Sequence, residues 1–348
     1  MLIDNAFAKT VSRREFLQKT AQAALVLAGG LTFSALTGGC ATLAFKEEAP
    51  VIYPSLRGHK VQPPEDGCLF GVRTVYDDVK RRAPNIPRHL RDFIEYFTKE
   101  LSRKPSIFAI QIEAGVHQTL MLRAKITADQ GVIPFIYIGF PPLLVTKEHY
   151  DRQLRRMAEN ARKFGEKYGG FFINNMWEMN IDAKSRPWPW CVGPSLFKEA
   201  WRRTWTIFEE AGANEYATWV IEYQVNFPLR DYYPGDEYVD WIGLSGYNNK
   251  VFREYYGYRQ LSQLMSEPYR YFRVNYKDKP VMLAEFGSAL GKDQPNWLRR
   301  ALGTIKSWPG LKAAICWDVY DHNIEDDCTL SEESIKALRE ALKDPYFI

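Results

Sequence analysis

Eight short apolar runs constrain this chain most. They are Cys68–Val72, Phe108–Ile112, Val132–Ile138, Phe171–Met176, Thr218–Tyr223, Trp241–Leu244, Val281–Ala284 and Ala313–Val319. Each is near-continuously apolar rather than alternating, the pattern of parallel strands covered on both faces. Helical spacing fills several of the gaps. Leu90, Phe93, Ile94, Phe97 and Leu101 recur at three- and four-residue steps, as do Phe197, Trp201, Trp205 and Phe208, with Gly212 placed to end the helix. Such aromatic stripes are expected to face a core. Ile335, Leu338 and Leu342 mark a last helix, stopped before Pro345. Eight strand–helix units predict an α/β chain folded as a single (β/α)8 TIM barrel. An open doubly wound sheet is the competing architecture, but it calls for a Gly-rich phosphate loop after its first strand, and the sequence has none.

Residues 1–39 read as an export signal rather than as part of the fold. Ser12-Arg13-Arg14-Glu15-Phe16-Leu17 resembles a twin-arginine signal, and the Ala- and Gly-rich stretch from Ala21 to Leu36 is too short and interrupted for a membrane span. Leu36-Thr37-Gly38-Gly39-Cys40 resembles a lipoprotein processing box, with Thr37 where leucine is usual. The expectation is an exported, periplasmic or cell-envelope protein tethered to the membrane through a lipid on Cys40. Residues 40–66 then read as a Pro-rich linker and 67–348 as the barrel domain, a length one barrel accommodates.

The net charge is +4, of which the first 39 residues supply +2 through Lys9, Arg13, Arg14 and Lys19 against Asp4 and Glu15. No basic run remains beyond them, so nucleic acid is not an expected partner. Cys68, Cys191, Cys316 and Cys328 have no zinc spacing. An oxidising compartment permits disulfides among them, while the positions of Cys68 and Cys316 in apolar runs suit buried thiols.

In a barrel of this kind the chemistry sits at the C-terminal ends of the strands. There the chain offers Arg73, Glu113, Gly139, Glu178, Glu222, Tyr247, Glu285 and the stretch Trp317 to Asp321. Glu178 follows the fourth run and Glu285 the seventh. Two carboxyls facing each other across a sugar linkage are what glycoside hydrolysis requires: one ionised and nucleophilic, the other protonated and able to give its proton to the leaving oxygen. The alternative for either glutamate is a salt bridge at the barrel rim. Asp236 and Asp240 precede the sixth run and are expected to be structural, one in a turn and one pairing where that strand begins. Glu113, Glu222, Asp318 and Asp321 remain as acceptors for sugar hydroxyls, and His117 and His322 as rim residues.

Four segments carry a family resemblance. Glu178-Met179-Asn180, Trp188-Pro189-Trp190, the run from Tyr232 through Pro234-Gly235-Asp236 to Tyr247-Asn248, and Lys279 through Glu285-Phe286-Gly287 together resemble glycoside hydrolase family 26 across residues 65–345. The resemblance implies a retaining enzyme that cuts within β-1,4-mannan or a related β-linked polysaccharide and needs no cofactor or metal. It implies Glu178 as acid/base, Glu285 as nucleophile, Tyr247 as the residue that positions the nucleophile, and Trp317 as an aromatic floor for the sugar. One departure stands out: the family usually has histidine immediately before the acid/base, and here that residue is Trp177, whose ring nitrogen is donor only. Asn180 and Asn175 are the residues nearest in sequence that could replace its polar contact. Arg73, Trp177 and Asn180 join the expected substrate contacts. Trp188 and Trp190, on a proline-stiffened loop, read either as a sugar-stacking wall or as a hydrophobic plug. A non-catalytic polysaccharide-binding lipoprotein, or a transglycosylase, on the same barrel is the alternative function.

Overall fold

The computed structural model describes residues 58–74, 90–111, 117–182, 188–229, 231–321 and 326–348. The export signal, Cys40, Glu113 and His322 lie outside the described residues, as does all of the expected linker before residue 58.

Eight parallel strands close into a barrel in sequence order. They are β1 (Leu69–Thr74), β2 (Ile107–Gln111), β3 (Ile133–Ile138), β4 (Phe171–Asn175), β5 (Ala217–Gln224), β6 (Trp241–Asn248), β7 (Val281–Ser288) and β8 (Leu311–Asp318). The ring shuts where β8 pairs with β1, from Leu69↔Ala313 to Thr74↔Asp318. All eight apolar runs became strands, and the predicted barrel is the observed fold.

The helices outside are α1 (Leu90–Leu101), α2 (His117–Asp129), α3 (Pro142–Thr146), α4 (Asp151–Tyr168), α5 (Pro194–Glu210), α6 (Lys250–Tyr256), α7 (Leu261–Asn275), α8 (Gln294–Lys306) and α9 (Glu332–Ala341). Their apolar stripes face the strands as expected: Phe93, Ile94, Phe97 and Leu101 of α1, and Phe197, Trp201 and Phe208 of α5, are buried. Gly212 follows α5 at φ +73°, the left-handed conformation that glycine adopts without a Cβ clash. A two-stranded hairpin, β9 (Tyr320–Asp321) with β10 (Asp326–Asp327), follows β8. No helix among the described residues is long and apolar enough to cross a membrane.

The floor of the barrel is closed by chain on both sides of it. The C-terminal segment pairs with the start of β1, Cys68 N donating to Tyr346 O and Ile348 N to Cys68 O. Residues 58–66, expected as the end of a linker, are instead held by the barrel. Val61 N donates to Thr218 Oγ1 at 2.8 Å, and the buried Lys60 ammonium pairs with Asp240 at 2.7 Å. Asp240 Oδ2 also accepts from Trp219 N, so it has the structural role expected of it. Asp236 lies in a single 3-10 turn and accepts from the Tyr233 hydroxyl. The four cysteines past Cys40 are free and buried, which removes the disulfide expectation. Burial raises the Cys68 thiol pKa far above its usual value.

One irregularity positions the site. Leu244 pairs with Leu283 but Ser245 with Glu285, and on the other side Leu283 pairs with Ala314 but Phe286 with Cys316. β7 therefore carries one residue more than either neighbour between Leu283 and Phe286. Such a bulge bends and twists the strand locally and re-aims the side chain beside it. Here that side chain is Glu285.

Candidate active site

Glu178 does not sit on β4. The strand ends at Asn175, and the chain then turns with Met176 at φ +60° and Glu178 at φ +51°. Left-handed backbone at two non-glycine residues costs on the order of 1–2 kcal/mol each. The turn is held by its neighbours: Met176 N donates to Ile138 O at 2.8 Å, and Glu178 N to Glu222 O at 3.2 Å. The Glu178 side chain is buried and surrounded by donors. Gln224 Nε2 and Ser245 Oγ reach Oε1 at 3.4 and 3.2 Å, and Trp188 Nε1 reaches Oε2 at 3.4 Å.

Glu285 projects from the β7 bulge and is also buried. The Tyr247 hydroxyl of β6 donates to its Oε2. Burial, reinforced by the negative charges of Glu285 and Glu178, keeps the Tyr247 phenol far above its usual pKa, so it stays a donor. Arg73, at the end of β1, is buried beside these groups. Desolvation lowers the pKa of its guanidinium while the charge of Glu285 works the other way. Arg73 lies over the Trp317 ring at 5.4 Å, and the same ring meets Tyr247 edge-on at 5.8 Å. Trp317 is only partly buried, and it is the next-to-last residue of β8, at the strand end where it was expected.

The separation of the two carboxyls is the central measurement. One carboxylate oxygen each from Glu178, Glu222 and Glu285 lie within 4.8 Å of one another. The two carboxyls are thus brought together in one buried cluster, as a pair acting on one sugar linkage requires.

The remaining expected contacts divide by exposure. Trp188 is half-buried and presents an indole beside Glu178. Trp190 is the plug: it is 3% exposed, donates through Nε1 to Trp177 O at 2.6 Å, and fills the space over Gly139. Trp177 is likewise buried, edge-on to Tyr137 at 5.7 Å and to Trp190 at 4.3 Å. Asn180 braces two loops rather than facing the cleft. Its amide donates to Gln224 O and Pro228 O, and its carbonyl accepts from Gln224 N at 2.9 Å. That correction leaves Asn175, whose buried amide makes no hydrogen bond among the described residues. Asp318 also turns inward, accepting from Thr74 Oγ1 and Leu330 N. His117 begins α2 and Asp321 ends β9, which is all that is described of either.

Sequence reading passed over Tyr137, Gln224 and Ser245, and took Glu222 for a sugar contact. Glu222 is 1% exposed on β5, with Asn174 of β4 donating to its Oε2. The usable signal was a polar residue within an otherwise apolar strand, since a buried carboxyl needs a reason to be there.

Residues 145–284 match the family model for glycosyl hydrolase family 26, a span that contains Glu178 and Tyr247 and ends one residue before Glu285. Among curated proteins, Endoglucanase H of Acetivibrio thermocellus is 26% identical over 208 residues, covering 55% of this chain and 22% of that protein. The chain thus spans about a fifth of that relative's length. Among solved structures, a beta-mannanase from a symbiotic protist of the termite Reticulitermes speratus, complexed with gluco-manno-oligosaccharide, superposes with a TM-score of 0.56 at 14% identity. The alignment covers 81% of this chain and 88% of that one. A beta-mannanase of the same family from Bacteroides ovatus gives 0.55 at 13% identity, covering 81% and 90%. At such identities the superpositions speak for the fold.

Proposed function

We propose that this barrel is a glycoside hydrolase of family 26 and that it cleaves a β-linked polysaccharide internally by two successive displacements, a reading supported by the family match over residues 145–284. The observation that carries the reading is the 4.8 Å limit on the separation of the Glu178 and Glu285 carboxylate oxygens. Carboxyls this close suit direct attack by one of them rather than activation of a water on the far face of the sugar, which takes a wider spacing.

In the first displacement Glu285 attacks the anomeric carbon and Glu178 gives its proton to the departing glycosidic oxygen. The Tyr247 hydroxyl, donating to Glu285 Oε2, holds the nucleophile in place. In the second, Glu178 takes a proton from water as that water attacks the glycosyl–Glu285 ester, releasing sugar with its original configuration. Gln224, Ser245 and Trp188 fix the acid/base throughout. Trp317 and Trp188 are the partly exposed rings on which apolar sugar faces can pack. β-1,4-mannan or a closely related β-glycan is the proposed substrate, because both solved relatives above are β-mannanases. No cofactor enters this scheme.

We also propose export and lipid anchoring at Cys40, on the signal and processing box of the first 40 residues. Labelling with a radioactive fatty acid, lost in Cys40→Ala, tests that part.

Activity is tested on a panel of soluble β-glycans by release of reducing ends. Wild type cleaves at least one; Glu285→Ala and Glu178→Gln do not. Proton NMR of the first product shows retained configuration. Cleavage that survives both substitutions, or an inverted product, refutes the assignment.

A further inference from the structure

A third carboxyl stands with the reacting pair and has no part in the two displacements. Glu222 of β5 lies within the same 4.8 Å cluster as Glu178 and Glu285. Its Oε2 accepts from Asn174 Nδ2, and its Oε1 accepts no hydrogen bond among the described residues. The groups around it come from several strands of the barrel. Tyr137 of β3, Glu178 past β4, Ser245 and Tyr247 of β6, and Glu285 of β7 form its surroundings. Tyr137 is committed across the barrel, donating to Ala284 O at 3.3 Å.

Crowding of like charge decides the state of Glu222. Three carboxyls, each at most 5% exposed, bring oxygens within 4.8 Å of one another. Three ionised carboxylates so placed repel one another strongly in a buried site, and a group that keeps its proton relieves that repulsion. Glu222 is the most deeply buried of the three, at 1% exposed, and its Oε1 accepts no hydrogen bond among the described residues.

We infer that Glu222 is held protonated through the catalytic cycle and is a positioning residue: a third, neutral carboxyl that confines the proton exchange of the site to Glu178. The direction of its ionisation agrees. Burial first, then the charges of Glu285 and Glu178, raise its pKa well above the usual carboxylate value, and the nearby Ser245 and Tyr137 hydroxyls oppose this only weakly.

The inference rests on the glycosidase reading for its role, but its test does not. Infrared difference spectra at pH 7 compare Glu178→Gln with Glu178→Gln/Glu222→Gln. The first variant shows a protonated-carboxyl C=O band that the second lacks; no difference overturns the inference whether or not any glycan is cleaved. Glu222→Met, read in the same way, serves if the Gln variant does not fold. Stability supplies a readout that a packing role would not move. An acid with a raised folded pKa binds more protons folded than unfolded, so wild type loses stability as pH rises above the unfolded value. Glu222→Gln removes that loss, and its unfolding constant falls relative to wild type by about tenfold per pH unit above about pH 5. A pH-independent difference overturns the inference.

Discussion

Replacing Gly139 by alanine places a methyl carbon 2.2 Å from Cζ3 and 2.4 Å from Cη2 of Trp190. Carbon atoms at ordinary contact sit about 3.5–4.0 Å apart, so the indole must retreat by about 1–2 Å. It has nowhere soft to go. Its Nε1 donates to Trp177 O at 2.6 Å, its ring packs against Trp177 at 4.3 Å, and Trp188 stacks on it at 5.7 Å with planes 10° apart. Trp188 in turn donates to Glu178 Oε2. Overpacking of this kind costs about 1–3 kcal/mol, a fall in Tm of about 2–8 °C. The same displacement reaches Glu178, the proposed acid/base, through Trp188, and a misplacement of about 1 Å costs about a hundredfold in rate. Gly303→Ala is the matched control: nothing lies within 4 Å of its added carbon, and it sits inside α8, where alanine is preferred over glycine by about 1 kcal/mol. Thermal unfolding and kcat/KM on the best glycan of the panel are measured for both. The control should be at least as stable as wild type. A Gly139→Ala protein with wild-type Tm and kcat/KM would refute the view that Trp190 is a rigid support for the acid/base.

Other outcomes follow from the same contacts. Tyr247→Phe removes the donor on Glu285 Oε2; a hydrogen bond to a charged group contributes about 1.5–3 kcal/mol, so kcat/KM falls about tenfold to a hundredfold with the fold intact by circular dichroism. Trp188→Ala raises KM more than it lowers Tm, and Trp190→Ala does the reverse, because the first ring is partly open and the second is 3% exposed. Asp240→Asn leaves the buried Lys60 ammonium without its countercharge and destabilises by about 3–5 kcal/mol, read in urea unfolding. A thiol reagent finds Cys68, Cys191, Cys316 and Cys328 unreactive in the native protein and all four reactive in guanidinium, with no reductant needed.

Much of the architecture was legible in the chain itself. A strand buried on both faces has to be apolar along its length, so each of the eight runs announced a strand, and their number and helical spacing left few ways to close them. The ends of the fourth and seventh runs then pointed to Glu178 and Glu285, because in this fold strand ends face one mouth. Local patterns served less well where a residue's role depends on what lies across the barrel. Asn180 looked like a sugar ligand and is a brace, since its three partners are backbone groups at the end of β5 and just after it. Residues 58–66 looked like linker because their anchors, Thr218 and Asp240, are more than 150 positions away.

Composition and periodicity thus determined the barrel and the carboxyls that could serve it. Only the closed structure decided how those carboxyls stand to one another. The extra residue in β7 before Phe286 sets which way Glu285 faces, and the left-handed turn at Met176 and Glu178 lifts the other glutamate off its strand. It also drew Glu222, a single acid in an apolar run, into their company. The reason is geometric. Hydrophobic patterning depends on neighbours a few residues apart and is written along the chain, whereas a distance across a barrel is the sum of registers, bulges and turns contributed by every strand between.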